Sequence, residues 1–194
     1  MSWQIALFLL PGLIVGITVH EAAHALTASL LGDNNSKRMG RISLNPFRHL
    51  SPLGTVALFV LGFGWGKPVE VNLYNFRKPK LYYLLSSLAG PASNLVLAGI
   101  ALGVLKLHPP ILLVFVCTSV FYINVILAMV NLLPIPPLDG SKIWPCIIPG
   151  IKPAVSGRWT TLWIVVLLLA MWSGAISKIL GPAISFFAKL LPGN

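Results

Sequence analysis

Residues 3–31 read WQIALFLLPGLIVGITVHEAAHALTASLL, a run long enough to cross a lipid bilayer as one helix. Three ionisable residues, His20, Glu21 and His24, stand inside this run. An ionisable side chain in hydrocarbon costs about 2.5–3.5 kcal/mol on insertion scales, so a cluster of three needs a compensating partner. The run therefore predicts a membrane-spanning helix that carries a polar site.

The spacing His20-Glu21-Ala22-Ala23-His24 is typical of a metal site. Residues four apart share one face of an α-helix, so both imidazoles can reach a single Zn²⁺. Glu21 lies beside that face and could act as a general base on an attacking water. The alternative is a cluster of polar residues bonded to neighbouring helices, and we consider it the weaker one because the motif is costly to keep in a membrane.

The composition of the chain indicates an integral membrane protein. Its 194 residues are 56% hydrophobic and 9% charged, whereas ordinary soluble domains are about a quarter charged. The length suits one membrane domain, so we expect residues 1–194 to form a single domain. The first apolar run is too long for the core of a signal peptide, and we expect it to be a retained span.

Hydropathy predicts the number of membrane spans. The runs long enough to cross a bilayer, or nearly so, are 3–31, 81–105, 111–133 and 159–176. Run 53–63 is too short to cross and is expected to be a re-entrant or partly buried segment, and 179–191 is expected at the interface or as a short final span. Residues 62–72 combine alternate glycines, a proline and strand-like alternation, which favour a hairpin beside the active-site cavity over an ordinary interfacial loop. We expect an all-α polytopic membrane protein with about four to six transmembrane helices and a small membrane-associated β-hairpin.

The net charge of +10 comes from basic residues in short loops between the apolar runs. Such residues suit topology signals and contacts with anionic lipid headgroups, and we expect no nucleic-acid partner. If 53–72 enters and returns on one side, the basic residues that share a side are Lys37, Arg38, Arg41, Arg48, Arg77, Lys78, Lys80, Lys142, Lys152 and Arg158. The positive-inside rule makes this side the cytoplasm and places the N-terminus outside. His24 then lies about 10 Å from the cytoplasmic end of its helix.

Two histidines leave a tetrahedral catalytic zinc site one protein ligand short. Turn chemistry explains Asp33, and exposure to water would explain Glu70. Asp139 follows the end of a span on the side where the histidine pair opens, which favours it as the third ligand over a plain turn residue before a glycine. His49 and His108 are weaker candidates because they lie in loops.

Five stretches of the chain resemble the site-2 proteases, which are intramembrane zinc metalloproteases. They are HEAAH at 20–24, GRISLNP at 40–46, GWGKPVEVN at 64–72, GPASN at 90–94 and NLLPIPPLDG at 131–140. The resemblance is to a compact form of the family without a PDZ domain. It implies that His20, His24 and Asp139 bind one Zn²⁺ per chain. It also implies that Glu21 activates the attacking water.

The resemblance further implies that Asn94, together with Asn131, assists substrate binding or stabilises an oxyanion. By itself Asn94 would equally suit a helix-packing hydrogen bond. The implied reaction is hydrolysis of a peptide bond in or next to the transmembrane segment of a membrane-protein substrate, as in regulated intramembrane proteolysis. The expected location is the plasma membrane of a prokaryote, with the active site opening toward the cytoplasm.

The sequence leaves two alternative functions. A zinc transporter or zinc-binding membrane protein would need a chain of ligands through the membrane or inverted repeats, and the sequence shows neither. A membrane adaptor that binds substrates without cutting them would have no need of Glu21. No pattern in the chain indicates an oligomeric state.

Overall fold

The structure, a computed structural model, describes residues 3–52, 54, 66–67, 71–151 and 158–192. Seven α-helices are defined within these residues: α1 (Trp3–Leu30), α2 (Asn35–Arg38), α3 (Pro79–Leu105), α4 (Ile111–Asn131), α5 (Gly140–Ile147), α6 (Arg158–Trp172) and α7 (Ala175–Ala188). Short 3₁₀ turns lie at Pro46–Arg48 and Leu73–Asn75. The predicted all-α membrane architecture is confirmed.

Three helices are long and apolar enough to cross a membrane: Leu7–Leu30 within α1, and the whole of α3 and α4. Helices suit such segments because hydrocarbon offers the backbone no other hydrogen-bond partner. Helices α6 and α7 pass the same test only as a pair bent by 64°. The described residues thus hold three spans, or four if the bent pair is one broken span. Four is the lower limit of the four to six spans predicted from the sequence.

The last two predicted segments, 159–176 and 179–191, differ from the structure at the boundary between them. Helix α6 ends at Trp172, and α7 begins at Ala175. Gly174 separates them with a φ of +74°, a left-handed conformation that suits glycine and interrupts an α-helix. The sequence signal for this boundary was Gly174, a glycine inside an apolar run that hydropathy alone treats as continuous.

The segment between α2 and α3 is described only in part. Run 53–63, except Gly54, and most of the predicted hairpin at 62–72 lie outside the described residues. In the described part, Leu50 and Gly66 form an isolated antiparallel bridge. The backbone N–H of Lys67 donates to the carbonyl of His49 at 2.6 Å.

Helix α1 ends in a turn that is hydrogen-bonded to the segment before α3. Gly32 has a φ of +116°, and the next N–H, that of Asp33, donates to the carbonyl of Ala28 at 2.9 Å. The buried Asp33 carboxylate then accepts from the backbone N–H of Asn72 and the side-chain amide of Asn75, each at 2.7 Å. These bonds hold the chain that leaves α1 against the chain that enters α3.

Helices α1, α3 and α4 pack on one another in all three pairs. The α1–α4 contact is close because glycines lie on it. A methyl group on Gly12 would lie 2.5 Å from the backbone oxygen of Ser119, and one on Gly16 would lie 2.8 Å from Cδ1 of Leu127. Small residues four apart allow such approach between membrane helices. The N–H of Gly12 also donates to Oγ of Ser119 at 3.1 Å.

Two apolar clusters flank this three-helix unit. In the first, Phe121 and Val125 of α4 pack against Ala98 and Ala101 of α3. The second joins the loop after α4 to the bent pair, through Leu138, Leu167, Ile176 and Leu180. The second cluster supports Leu138, the residue directly before Asp139.

Candidate metal centre

Helix α1 brings the two histidines of the motif together. His20 and His24 are each 7% exposed. Their ring centroids are 4.6 Å apart, and their Nε2 atoms are 3.0 Å apart. The four-residue spacing thus places both Nε2 atoms at one point, as the sequence predicted.

Asp139 reaches the same point from the loop between α4 and α5. Its Oδ2 lies 3.1 Å from Nε2 of His20 and 3.0 Å from Nε2 of His24. Asp139 stands at the N-terminus of α5, yet its side chain makes no capping hydrogen bond there. Gly140 permits this turn, because a methyl group at Gly140 would collide with the carbonyls of Leu132 and Leu133. The carboxylate therefore serves the histidine pair rather than the helix end.

The outer nitrogens of both imidazoles are engaged by acceptors. Nδ1 of His20 donates to Oδ1 of Asn94, and Nδ1 of His24 donates to the backbone carbonyl of Ser86, each at 2.6 Å. A neutral imidazole that donates from Nδ1 carries a lone pair on Nε2. Two such lone pairs and a carboxylate oxygen thus converge.

The three converging atoms suit a zinc ion. They all lie within 4.8 Å of one another, and they are the one group of this kind among the described residues. Ligand atoms about 2.0–2.1 Å from zinc in a tetrahedron lie about 3.3 Å apart. The observed spacings of 3.0–3.1 Å therefore need only a slight opening. Two histidines and one carboxylate leave a fourth position for water or substrate, as in catalytic zinc sites.

One face of α3 closes the site from the side. Ser86, Gly90 and Asn94 follow one another at four-residue intervals and therefore lie on one helix face. The outer two make the hydrogen bonds to the imidazoles. Gly90 lies between them, and a methyl group there would lie 2.6 Å from Cε1 of both His20 and His24. The four-residue spacing of Gly90 and Asn94 on α3 thus matches the four-residue spacing of the histidines on α1.

Lys142 holds the second oxygen of Asp139. Its Nζ donates to Oδ1 at 3.0 Å, so Oδ2 is the oxygen that faces the imidazoles. This ion pair with Lys142 suits an ionised carboxylate, the form that binds a metal.

Glu21 lies beside the site, next to the β-bridge. Its side chain is half-buried, and it has no hydrogen-bond partner among the described residues. A methyl group on Gly66 would lie 3.4 Å from Oε1 of Glu21 and 3.1 Å from the carbonyl oxygen of His49. The carboxylate thus borders the backbone segment that the sequence predicted to line the cavity.

The other predicted residues lie apart from the metal-binding group. Nδ2 of Asn131 donates to the carbonyl of Leu127, four residues earlier in α4, at 2.9 Å. Nε2 of the buried His49 donates to the carbonyl of Ser43 at 2.6 Å. His108 is exposed in the turn between α3 and α4. The structure does not include either histidine in the group that could hold a metal.

Sequence reasoning missed three neighbours of the site: Asn124, Ser86 and Lys142. Nδ2 of Asn94 donates to Oδ1 of Asn124 at 2.7 Å, and Asn124 is fully buried. Its signal was a single amide in the middle of an otherwise apolar span, where an unpaired polar group is costly. Ser86 contributes only its backbone carbonyl, and no pattern of side chains in the sequence predicts such a contact. Lys142 was interpreted as a topology signal alone.

Comparison with known proteins bears on this geometry. The profile of peptidase family M50 matches residues 111–173. YwhC of Bacillus subtilis (strain 168), a candidate zinc metalloprotease, is 41% identical over 163 residues, which are 79% of this chain and 73% of the relative. The chain belongs to peptidase family M50. The resemblance to the site-2 proteases, which form this family, is confirmed.

A second M50 relative is more distant. Rip2 of Mycolicibacterium smegmatis, also a candidate zinc metalloprotease, is 33% identical over 176 residues, which are 84% of this chain and 67% of the relative. No solved structure matches the chain significantly. The protein is a zinc metallopeptidase embedded in a membrane, and its cofactor is Zn²⁺.

Proposed function

We propose that this M50 protein cleaves a peptide bond in or next to the transmembrane segment of a membrane-protein substrate, as in regulated intramembrane proteolysis. The observation that carries the proposal is the convergence of two imidazoles and one carboxylate between helices long enough to span a bilayer. A hydrolytic site between such helices can act on a peptide bond inside the bilayer, which soluble proteases do not reach.

His20, His24 and Asp139 are the proposed ligands of one Zn²⁺ per chain. When bound, zinc would polarise the scissile carbonyl and lower the pKa of the attacking water. The protein keeps these ligands in place through the acceptors on α3 and through Lys142. Such partners fix the ring orientation of metal-bound histidines and raise their basicity.

Glu21 is the proposed general base. It directly follows His20 on α1, and its half-buried carboxylate is free of hydrogen-bond partners among the described residues. A carboxylate in this position can take a proton from the attacking water and return it to the leaving amine. Its closeness to Gly66 suits a substrate that approaches along the 49–50 and 66–67 bridge.

An unwound substrate segment could bind beside this bridge. A helical substrate keeps its backbone in internal hydrogen bonds, so it must unwind before hydrolysis. An extended segment could then pair with an exposed backbone edge. The predicted hairpin, residues 62–72, would offer such an edge; most of it lies outside the described residues, and the bridge at Gly66 belongs to its described part.

Asn94 and Asn131 were predicted to bind substrate or stabilise an oxyanion. Both hydrogens of the Asn94 amide nitrogen have internal acceptors, and its oxygen accepts from His20. These contacts favour a role for Asn94 in orienting the site. A substrate contact at Asn131, near the end of α4, stays a prediction.

We also propose that the chain acts as a single domain in a prokaryotic plasma membrane, with its active site open to the cytoplasm. The bacterial origin of its relatives supports this location. The basic residues after α1 and before α3 favour a cytoplasmic position for the ends of the helices nearest the histidine pair.

The substitution Glu21→Gln tests the proposed function. The protein would be purified in detergent, reconstituted into liposomes with a panel of tagged single-span membrane proteins, and assayed for fragments by mass spectrometry. We expect the wild-type chain to cut within or beside a span, and Glu21→Gln to lose at least about a hundredfold in rate, because general base catalysis contributes on that order. Zinc content measured on the same samples should be equal, since Glu21 is no ligand. Unchanged proteolysis by a Glu21→Gln variant that carries its full zinc content would contradict the assignment of Glu21 as the general base.

A further inference from the structure

A chain of hydrogen bonds through two buried amides connects α4 to His20. Nδ2 of Asn124 donates to the backbone carbonyl of Val120 at 2.8 Å, and Oδ1 of Asn124 accepts from Nδ2 of Asn94 at 2.7 Å. Oδ1 of Asn94 accepts from Nδ1 of His20 at 2.6 Å. Asn94 and Asn124 are both 0% exposed. Three helices thus contribute one side chain each to a continuous polar path.

The path has one possible direction, because it starts at a backbone carbonyl. The oxygen of Val120 can only accept, so Asn124 turns its nitrogen toward it and its oxygen toward Asn94. Asn94 then presents its nitrogen to Asn124 and its oxygen to His20. A second bond, from Nδ2 of Asn94 to the carbonyl of Gly16 at 3.2 Å, favours the same orientation.

The direction of the path determines which nitrogen of His20 carries the hydrogen. Because Asn94 offers an oxygen, His20 must donate from Nδ1, and Nε2 keeps its lone pair. If the Asn94 amide were reversed, its N–H groups would face the Nδ1–H of His20. Its oxygen would face the oxygens of Asn124 and Gly16, which are both acceptors. In a membrane interior, where no water can compensate, such unpaired groups are costly. The tautomer of a metal-binding histidine is commonly set by the partner of its other nitrogen.

We propose that Asn124 is a positioning residue that acts through Asn94 to fix the hydrogen of His20 on Nδ1, which keeps Nε2 available to the metal. The inference rests on the proposed role of His20 as a zinc ligand. Asn124 contacts neither the metal-binding atoms nor Glu21 in the described contacts. Its influence on zinc is therefore indirect.

Zinc affinity of the purified full-length chain is the first readout, measured by competition with a chromophoric chelator. Direct partners of metal-bound histidines typically contribute about 10–100-fold to affinity. Asn124 is one step further away, and the carbonyl of Gly16 still accepts from Asn94 when Asn124 is removed, so we expect Asn124→Leu to lower zinc affinity only about tenfold. If the leucine variant does not fold, Asn124→Ala removes the same acceptor with less bulk.

A double-mutant cycle separates an effect through Asn94 from an independent one. Once Asn94→Leu has removed the link to His20, adding Asn124→Leu should cause no further loss of zinc affinity. Losses that multiply in the double variant would overturn the proposal. The wild-type affinity is measured first, so failure of wild type to bind zinc would count against the proposed function, whereas equal binding by wild type and Asn124→Leu would count against this inference alone.

Ser119→Ala is the matched control. Ser119 also lies on α4, is also buried, and also bonds α1, but through the N–H of Gly12, away from His20. Its removal should leave zinc affinity unchanged. If Ser119→Ala lowered affinity as much as Asn124→Leu, the effect would be one of helix packing, and the proposal would fail.

The tautomer itself can be read by NMR of metal-free chains labelled with ¹⁵N-histidine, because zinc on Nε2 would itself place the hydrogen on Nδ1. The His20 signal is assigned from a His20→Gln sample. We expect hydrogen on Nδ1 in the wild type and in Ser119→Ala, and a mixture of tautomers in Asn124→Leu. A single Nδ1–H tautomer in Asn124→Leu would contradict the proposed mechanism.

Discussion

Gly90 shows how closely α3 packs on the histidine pair. A methyl group at this position would lie 2.6 Å from Cε1 of each imidazole, whereas carbon atoms in favourable contact lie about 3.5–4.0 Å apart. The imidazoles cannot move away without losing their Nδ1 partners on the same helix. The absence of a side chain at Gly90 is therefore a condition for the geometry of the site.

The substitution Gly90→Ala should accordingly weaken zinc binding. We expect a loss of at least about tenfold in affinity, on the scale of disturbed partners of metal ligands, measured by chelator competition. Gly99→Ala on the same helix is the control, because a methyl group there would contact nothing within 4 Å. Wild-type affinity in Gly90→Ala would show that the site tolerates a shift of α3.

The residues of the site differ in how far the sequence could predict them. His20, Glu21 and His24 form a local motif whose spacing carries its own geometry. Asp139 was favoured because a two-histidine site needs a third ligand on the same side of the membrane. Asn124 could not be assigned, because its partner Asn94 is 30 residues away and periodicity predicts a helix without saying which neighbour its polar residue meets.

At the level of elements, the α1–α4 contact fixes the height and rotation of the helix that carries the histidines. Gly12 approaches the backbone of Ser119 so closely that a side chain would not fit. In membranes, packing of this kind replaces the hydrophobic effect as the force between helices. The glycines one and two turns above His20 thereby hold α1 in register.

Replacing Gly12 by alanine should therefore destabilise the fold. The methyl group would lie 2.5 Å from a backbone oxygen, and overpacking of this sort costs about 1–3 kcal/mol. Reversible unfolding in mixed detergent micelles would measure the change. Gly103→Ala, at a position on α3 with open space around it, should leave the free energy of unfolding near the wild-type value. Equal stability of the two variants would contradict the close α1–α4 contact.

Hydropathy predicted the long helices well because membrane spans must be both apolar and helical. Runs 81–105 and 111–133 correspond to α3 (Pro79–Leu105) and α4 (Ile111–Asn131) within two residues at each end. The same measure could not place the bend between α6 and α7, since Gly174 is compatible with an apolar average. That boundary depends on the positive φ of Gly174, and a hydropathy average carries no information about backbone angles.

On the scale of the whole molecule, the site is assembled from parts far apart in the sequence. His20 and Asp139 are separated by 119 positions, and the face of α3 that supports them lies between. A self-contained two-histidine motif could hold a metal only weakly, whereas the fold adds a carboxylate and orients each of the proposed ligands. The central claim is that zinc is bound by a split site, half on α1 and half on the loop after α4.

The zinc content of the purified full-length chain, measured by mass spectrometry of the metal, tests this claim most directly. We predict about one zinc per chain for the wild type and for the control His108→Ala, which removes an exposed histidine outside the site. We predict that His20→Ala and Asp139→Ala each lose most of their zinc under the same dialysis. Full zinc content in Asp139→Ala, with His20→Ala depleted, would contradict a site divided between the two elements.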